Sequence, residues 1–186
     1  MDNPVKKQPL NGTPSLGTWI QIGHPAIGEI LGEMSFDWIA VDCEHTDITP
    51  ADFASVIRGF YGRGPVPFAR VKENDTLTIR QALDVGAGGV IVPLVNNRKE
   101  AEYAVRAAKF PPRGIRGFSF CRTNNYGEDF DRYVKEANNK IAVITMVESR
   151  RAVENIDEIL SVEGLDGVFI GPYDLYNASN RGQKIS

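Results

Sequence analysis

Short apolar runs alternate along the chain with longer amphipathic segments, regularly enough to predict most elements from the pattern alone. Residues 18–23 (TWIQIG) read as a strand and about 25–34 as a helix. A second strand over 38–45 (WIAVDCEH) leads to Thr49 and Pro50, a cap and first helical position, with Phe53, Val56, Ile57 and Phe60 on one face of the helix they open. Residues 66–71 form a third strand. Asp75 caps the next helix, which carries Leu77, Leu83 and Val85 and stops at Gly86. Strand 89–95 (GVIVPLV) and helix 98–110 follow, then a Gly/Arg/Asn-rich loop over 111–126 and a short helix around 130–138. Strand 141–148 (IAVITMVE) precedes a helix marked by Val153, Ile156, Ile159 and Leu160, and 165–171 (LDGVFIG) is the sixth strand. The final stretch YNASNRGQKIS reads as a loop.

These strands are near-continuous Val/Ile runs, as burial on both faces of a parallel sheet requires. Repeated βα units build either a barrel or an open doubly wound sheet. No Gly-rich phosphate loop follows the first strand, which removes the best marker of a dinucleotide fold. Charged residues gather instead where strands end: Asp42, Glu44 and His45, then Arg70 and Lys72, then Glu148, then Asp174. Barrel enzymes assemble their sites at those ends. The expected fold is therefore α/β, a (β/α)8 TIM barrel in one domain over 1–186. Only about six βα units are present, where a full barrel needs eight strands and about 250 residues. The seventh and eighth are expected to be missing, from an incomplete record of a longer protein.

Composition narrows the class of partner. The 186 residues are 42% hydrophobic and 24% charged with a net charge of −3, ordinary for a globular protein. No basic run suggests nucleic acid, and no stretch is apolar enough for a membrane. The two cysteines, Cys43 and Cys121, lack metal-type spacing and are expected as reduced thiols in a cytoplasmic protein.

The strand ends supply the candidate chemistry. Glu148 and Asp174 lie one βαβ unit apart, so adjacent strands could bring both carboxylates to one rim, where with water they would suit a hard divalent ion. The competing reading is that each caps the helix that follows it. His45, with Asp42 and Glu44 close in sequence, is either a base at neutral pH or a strand-end histidine that hydrogen-bonds a neighbour. Arg70 is out of place in a strand unless it clamps an anion or forms a buried salt bridge with Asp42 or Glu44. Lys72 is expected in solvent and His24 in a turn.

The stretches LGTWIQIG, FDWIAVDCEHT, ARVKEND, QALDVGAGGVIVPLV, FPPRGIRG, MVESRRAVENIDEIL and VEGLDGVFIGPYDL occur in that order from Leu16 to Leu175. Together they resemble the HpcH/HpaI aldolase/citrate lyase family, nearest its class II, metal-dependent pyruvate aldolases. The resemblance implies a barrel of the phosphoenolpyruvate/pyruvate type and a Mg, Mn or Co ion on Glu148 and Asp174. It implies Arg70 on pyruvate and its enolate oxygen, His45 as base with Asp84 raising its basicity, and the backbone at Tyr173 against the pyruvate carboxylate. Substrates would be pyruvate or another 2-oxo acid and an aldehyde, in a homo-oligomer, trimer or hexamer. Met146 stands where relatives often carry a substrate-contacting glutamine, and Tyr173 where many have a small residue, so the aldehyde is open. A citrate-like or acyl-CoA lyase or synthase of the same superfamily, or an inactive truncated fragment, are the alternatives.

Overall fold

A computed structural model describes residues 3–7, 12–60 and 62–179. Six parallel strands run in chain order across one sheet: β1 (Gly17–Ile20), β2 (Trp38–Asp42), β3 (Val66–Arg70), β4 (Gly89–Val92), β5 (Ala142–Val147) and β6 (Gly167–Ile170). Each pairs with its sequence neighbour, and between them run helices α2 (Pro25–Gly32), α3 (Pro50–Gly59), α4 (Thr76–Val85), α5 (Arg98–Ala108), α6 (Phe130–Lys140), α7 (Arg150–Glu154) and α8 (Ile156–Leu160). The chain opens with α1 (Pro4–Lys7), and α9 (Pro172–Ser179) follows β6.

The sheet is curled. Trp19 on β1 and Phe169 on β6 meet edge-to-face with ring centroids 5.2 Å apart. Five strand spacings of about 4.8 Å would hold a flat sheet's outer strands roughly 24 Å apart. These rings belong to an inner apolar layer with Ala40, Phe68, Ile91, Ala142 and Met146. Residues of opposite parity, among them Ile39, Val41, Ala69, Val90, Val92 and Val143, pack outward against the helices. Strands covered on both faces account for the unbroken apolar runs.

The local signals act as read. Thr49 and Asp52 complete a capping box at the start of α3, and Asp75 accepts from the Leu77 and Thr78 N–H groups at the start of α4. His24, expected in a turn, caps α2 by accepting from the Ala26 N–H at 3.2 Å. Three expectations change. Residues 176–179, read as loop, belong to α9, which Pro172 opens by supplying a preset helical φ; positions 180–186 lie outside the described residues. The helix after β5 is two short helices broken at Asn155, leaving Val153 and Leu160 about half exposed. Leu77, on the helix face read as apolar, is 60% exposed.

Helix α1 gave no apolar signal because polar bonds hold it. Asn3 Nδ2 donates to the Gly88 and Lys140 carbonyls at 2.9 and 3.0 Å, and Lys6 pairs with Asp166 at 2.5 Å. These partners lie at the N-terminal ends of β4, β5 and β6, so α1 covers the pole opposite the charged strand ends.

Helices α2 and α3 touch through Gly28, where an added Cβ would collide with the Val56 carbonyl oxygen. Alanine's better helix propensity favours substitution by about 1 kcal/mol, while forcing a methyl into a packed contact costs about 1–3 kcal/mol. Because the obstacle is backbone, the steric cost prevails: Gly28→Ala is expected to lower the thermal unfolding midpoint, measured by circular dichroism.

Candidate active site at the C-terminal strand ends

Strand register creates the centre of the site. Asp42 ends β2 and Arg70 ends β3, and the two are paired across the sheet with side chains on the inner face. Arg70 Nε donates to Asp42 Oδ1 at 2.8 Å while Nη2 donates to Oδ2, a two-pronged pair. Gln21 Nε2 donates to Oδ2 at 3.1 Å, and the Glu44 and His45 backbone N–H groups donate to Oδ1 at 3.1 and 3.2 Å. Asp42 is fully buried. Burial by itself would push its carboxyl up, but the bonds from Arg70, Gln21 and the His45 N–H outweigh that and hold it at about 2. Arg70 also stacks on Trp19, its guanidinium carbon 5.0 Å from the ring centroid. Of the two readings of Arg70, the salt bridge is therefore present, and it fixes the guanidinium at the mouth of the curled sheet.

Two residues beyond Asp42, Glu44 comes within 3.4 Å of Arg70 Nε, and its Oε2 lies 3.6 Å from His45 Nε2. That oxygen is buried and accepts no hydrogen bond. Burial, partly offset by Arg70 and reinforced by the negative charge of Glu148, pushes the Glu44 carboxyl up. The His45 side chain is itself mostly in solvent.

Glu148 follows β5 and is buried, its Oε1 accepting the Leu94 N–H at 2.6 Å. Leu94, just beyond β4, has φ of 57°, a left-handed conformation costly for a leucine. A Cβ placed on Gly171 would stand 2.9 Å from Glu148 Cβ and 3.4 Å from its Oε2, so only glycine leaves the space beside this carboxylate open. Asp174 is exposed in the first turn of α9, and Tyr173, the residue before it, is 85% exposed. Among the described residues no group of three or more His, Cys, Asp or Glu side chains gathers as a complete metal cage. The donor set is nonetheless suited to a hard ion that keeps water and substrate oxygens: the Glu148 carboxylate adjoins space that a side chain at position 171 would fill, and the buried Oε2 of Glu44 accepts no hydrogen bond.

Thus the fold gathers Arg70, His45, Asp42 and Glu44 by direct contact, and sets Glu148 on the loop after β5 and Asp174 in the first turn of α9, after β6. Asp84 lies elsewhere on α4, bound to the fully buried Arg116 at 2.7 Å, and no described contact joins it to His45. Met146 is buried in the inner layer beneath the site. Cys43 faces the helices, and burial pushes its thiol up to about 11. Leu94, Gln21 and Gly171 were not singled out from the sequence, and Glu44 was named only as a neighbour of His45 and a possible partner of Arg70. A left-handed leucine has no signal in the sequence.

The profile of the family described as HpcH/HpaI aldolase/citrate lyase matches residues 15–184. The chain belongs to this family. It is 38% identical over 180 residues to a 4-hydroxy-2-oxo-heptane-1,7-dioate aldolase of Shigella sonnei (strain Ss046), covering 94% of this chain and 67% of that protein. A 5-keto-4-deoxy-D-glucarate aldolase of the same organism is 37% identical over 161 residues, covering 86% and 62%. The crystal structure of an HpcH/HpaI aldolase/citrate lyase family protein from Burkholderia cenocepacia J2315 superposes with a TM-score of 0.90 at 31% identity, over 96% of this chain and 72% of that one. The chain spans about two thirds of the length of these curated relatives, and its curled six-strand sheet is a partial TIM-barrel-like fold of the family.

The Asp42–Arg70 pair generates a prediction with a defined pH window. Replacing Asp42 by Asn leaves a buried guanidinium without its counter-charge and is expected to cost about 3 kcal/mol at neutral pH. A carboxyl held below its ordinary value stabilises the fold above that value and ceases to do so on protonation. The stability difference between the unchanged chain and Asp42→Asn should therefore be full above pH 3.8 and disappear as pH falls towards about 2. Urea denaturation across this range measures it.

Proposed function

We propose that the protein is a class II pyruvate aldolase, catalysing reversible cleavage of a 4-hydroxy-2-oxo acid to pyruvate and an aldehyde. The observation that carries this reading is a cation fixed by a buried carboxylate, Arg70 on Asp42, at the same strand-end rim as the Glu148 carboxylate and the His45 imidazole. Membership of a family whose relatives above are named aldolases supports it.

In this reading Glu148 and Asp174 hold a divalent ion, Mg, Mn or Co, which when bound supplies Lewis-acid polarisation of the substrate's 2-keto group. Arg70 binds the pyruvate half and meets the negative charge that develops on the keto oxygen. His45 removes the proton of the 4-hydroxyl; as the aldehyde carbonyl forms, the C3–C4 bond breaks and its electron pair passes to pyruvate enolate. A proton returned to C3 completes pyruvate. The backbone around Tyr173 takes the pyruvate carboxylate, since first-turn N–H groups of a helix have no intrahelical acceptor. Asp42 keeps Arg70 in one orientation throughout. The reaction needs no lysine imine, so Lys72 has no part in it.

The same reading includes a homo-oligomer, trimer or hexamer, in the cytoplasm, working on small molecules rather than nucleic acid or membrane. Exposed Phe118, Phe120 and Tyr126 on the loop before α6 support self-association, and two free thiols support a reducing compartment. No helix among the described residues is long and apolar enough to cross a membrane.

Pyruvate proton–deuterium exchange, followed by NMR, tests enolate formation without knowledge of the aldehyde. Exchange is expected with added Mg²⁺, Mn²⁺ or Co²⁺ and not with EDTA, and Glu148→Gln and Asp174→Ala should each abolish it and weaken metal binding measured by calorimetry. No exchange from folded, metal-loaded protein would refute the assignment. Turnover confined to oxaloacetate or a CoA thioester would move it to a synthase or citrate-lyase-like reaction.

A further inference from the structure

We propose that Gln21 selects the aldehyde half of the substrate, its side-chain oxygen accepting a hydrogen bond from a hydroxyl group that the aldehyde carries. The inference rests on the aldolase reading for the reaction itself, and it names the class of aldehyde which that reading leaves open, a short hydroxyaldehyde.

Register puts Gln21 at the site. On β1, Ile20 pairs with Val41, so the next position, Gln21, stands level with Asp42, which is itself paired with Arg70. Gln21 also shares the parity of Trp19, a member of the inner layer on whose ring Arg70 stacks. The first three strands thus end in one inward row of an amide, a carboxylate and a guanidinium. Gln21 is the exposed member of that row, whereas Asp42 is fully buried.

The row decides which end of the amide is left for substrate. Asp42 accepts five N–H donors, from Gln21, Glu44, His45 and two nitrogens of Arg70, and a carboxylate so engaged has no proton to give. Only the NH2 end of Gln21 can face it, and Nε2 does so, 3.1 Å from Oδ2. Turning the amide over would set oxygen against oxygen at a buried charge, replacing a bond by a repulsion. Oε1 is therefore held as the outward end, and among the described residues the bond to Asp42 is the one hydrogen bond this side chain makes.

An amide oxygen accepts and never donates, so its complement is an O–H. Pyruvate has no hydroxyl, and the 4-hydroxyl gives its proton to His45, which leaves a hydroxyl further along the aldehyde as the partner. An apolar group at the same place would displace water from Oε1 and put nothing in its stead. A carboxylate would meet an acceptor oxygen at a rim where Glu148 and Asp42 already act on Glu44 as like charges.

The test compares glycolaldehyde with propanal, two aldehydes of the same size that differ by a hydroxyl in place of a methyl group. Addition of each to pyruvate is measured on the full chain with Mg²⁺, Mn²⁺ or Co²⁺ added. The unchanged chain is expected to show the higher kcat/KM with glycolaldehyde. Gln21→Leu should lower the ratio of the two values by roughly fivefold or more, the worth of one neutral hydrogen bond. This variant also loses the bond to Asp42, so a loss shared equally by both aldehydes, with the ratio unmoved, would make Gln21 a support for Asp42 alone and overturn the proposal. An unchanged chain that prefers propanal overturns it too. A second measurement needs neither turnover nor a variant with intact function: the Gln21 side-chain amide resonances, assigned by their absence from Gln21→Leu, are followed in the unchanged chain by nitrogen–proton NMR. Glycolaldehyde should shift them and propanal should leave them in place. Resonances that ignore glycolaldehyde, or answer both aldehydes alike, overturn the proposal. If the unchanged chain exchanges no pyruvate protons and adds neither aldehyde the aldolase reading falls, while the amide resonances still decide whether Gln21 receives a hydroxyl.

Discussion

The bond between Asp42 and Arg70 is the constraint on which the rest of the site depends. A guanidinium on the inner face of a curled sheet is tolerable only when a carboxylate meets it in the right plane. The sheet register provides that meeting, because Asp42 and Arg70 are cross-strand partners at the last paired positions of β2 and β3. The same carboxylate also organises the turn after β2 by accepting the Glu44 and His45 N–H groups. One buried charge thus sets the direction of a cation on one strand and the backbone carrying a histidine on another. Trp19 supports Arg70 from β1, so three adjacent strands converge on a single fixed cation.

A second anchor works by different means. Glu148 is held through a backbone N–H, and the donor is available only because Leu94 occupies a left-handed conformation. Strain of this kind persists where surrounding structure over-determines it. Here the determinants are the end of β4 on one side and the cap of α5 on the other, where Asn97 accepts from the Glu100 N–H. The site therefore joins a stiff half, built from side-chain charges on β2 and β3, to a half held by main-chain geometry.

The sequence made the strands and their parallel class legible because burial on both faces leaves unbroken Val/Ile runs, and the sheet has those runs in the inner and outer layers. Helix starts were legible at Thr49 and Asp75 because a cap is a local interaction. Arg70 stood out because a charge inside an apolar strand demands a partner, and Asp42 was among the partners named. What escaped was whatever depends on distant geometry. Helix α1 is held by Asn3 and Lys6 through contacts with residues more than 80 positions away, as between Asn3 and Gly88, and no periodicity announces them. The break at Asn155 and the exposure of Leu77 and Leu160 reflect which faces neighbouring elements cover, which a single amphipathic stripe does not reveal. Asp84 carried an assignment from resemblance alone, and its contact with Arg116 is a matter of tertiary packing.

The contact between Trp19 and Phe169 has a further meaning for how such a chain acquires its shape. Every strand pairing in the sheet joins consecutive strands, so each ladder closes over a modest length of chain. The two rings, by contrast, bring together the first and last strands of the sheet. Loop-closure entropy grows slowly with length, but it must be met before a distant contact gives anything back. Assembly can therefore proceed strand by strand in the order of synthesis, each new βα unit laid against the last. The ring contact spans the whole arc, so it can form only once all six strands are laid in order.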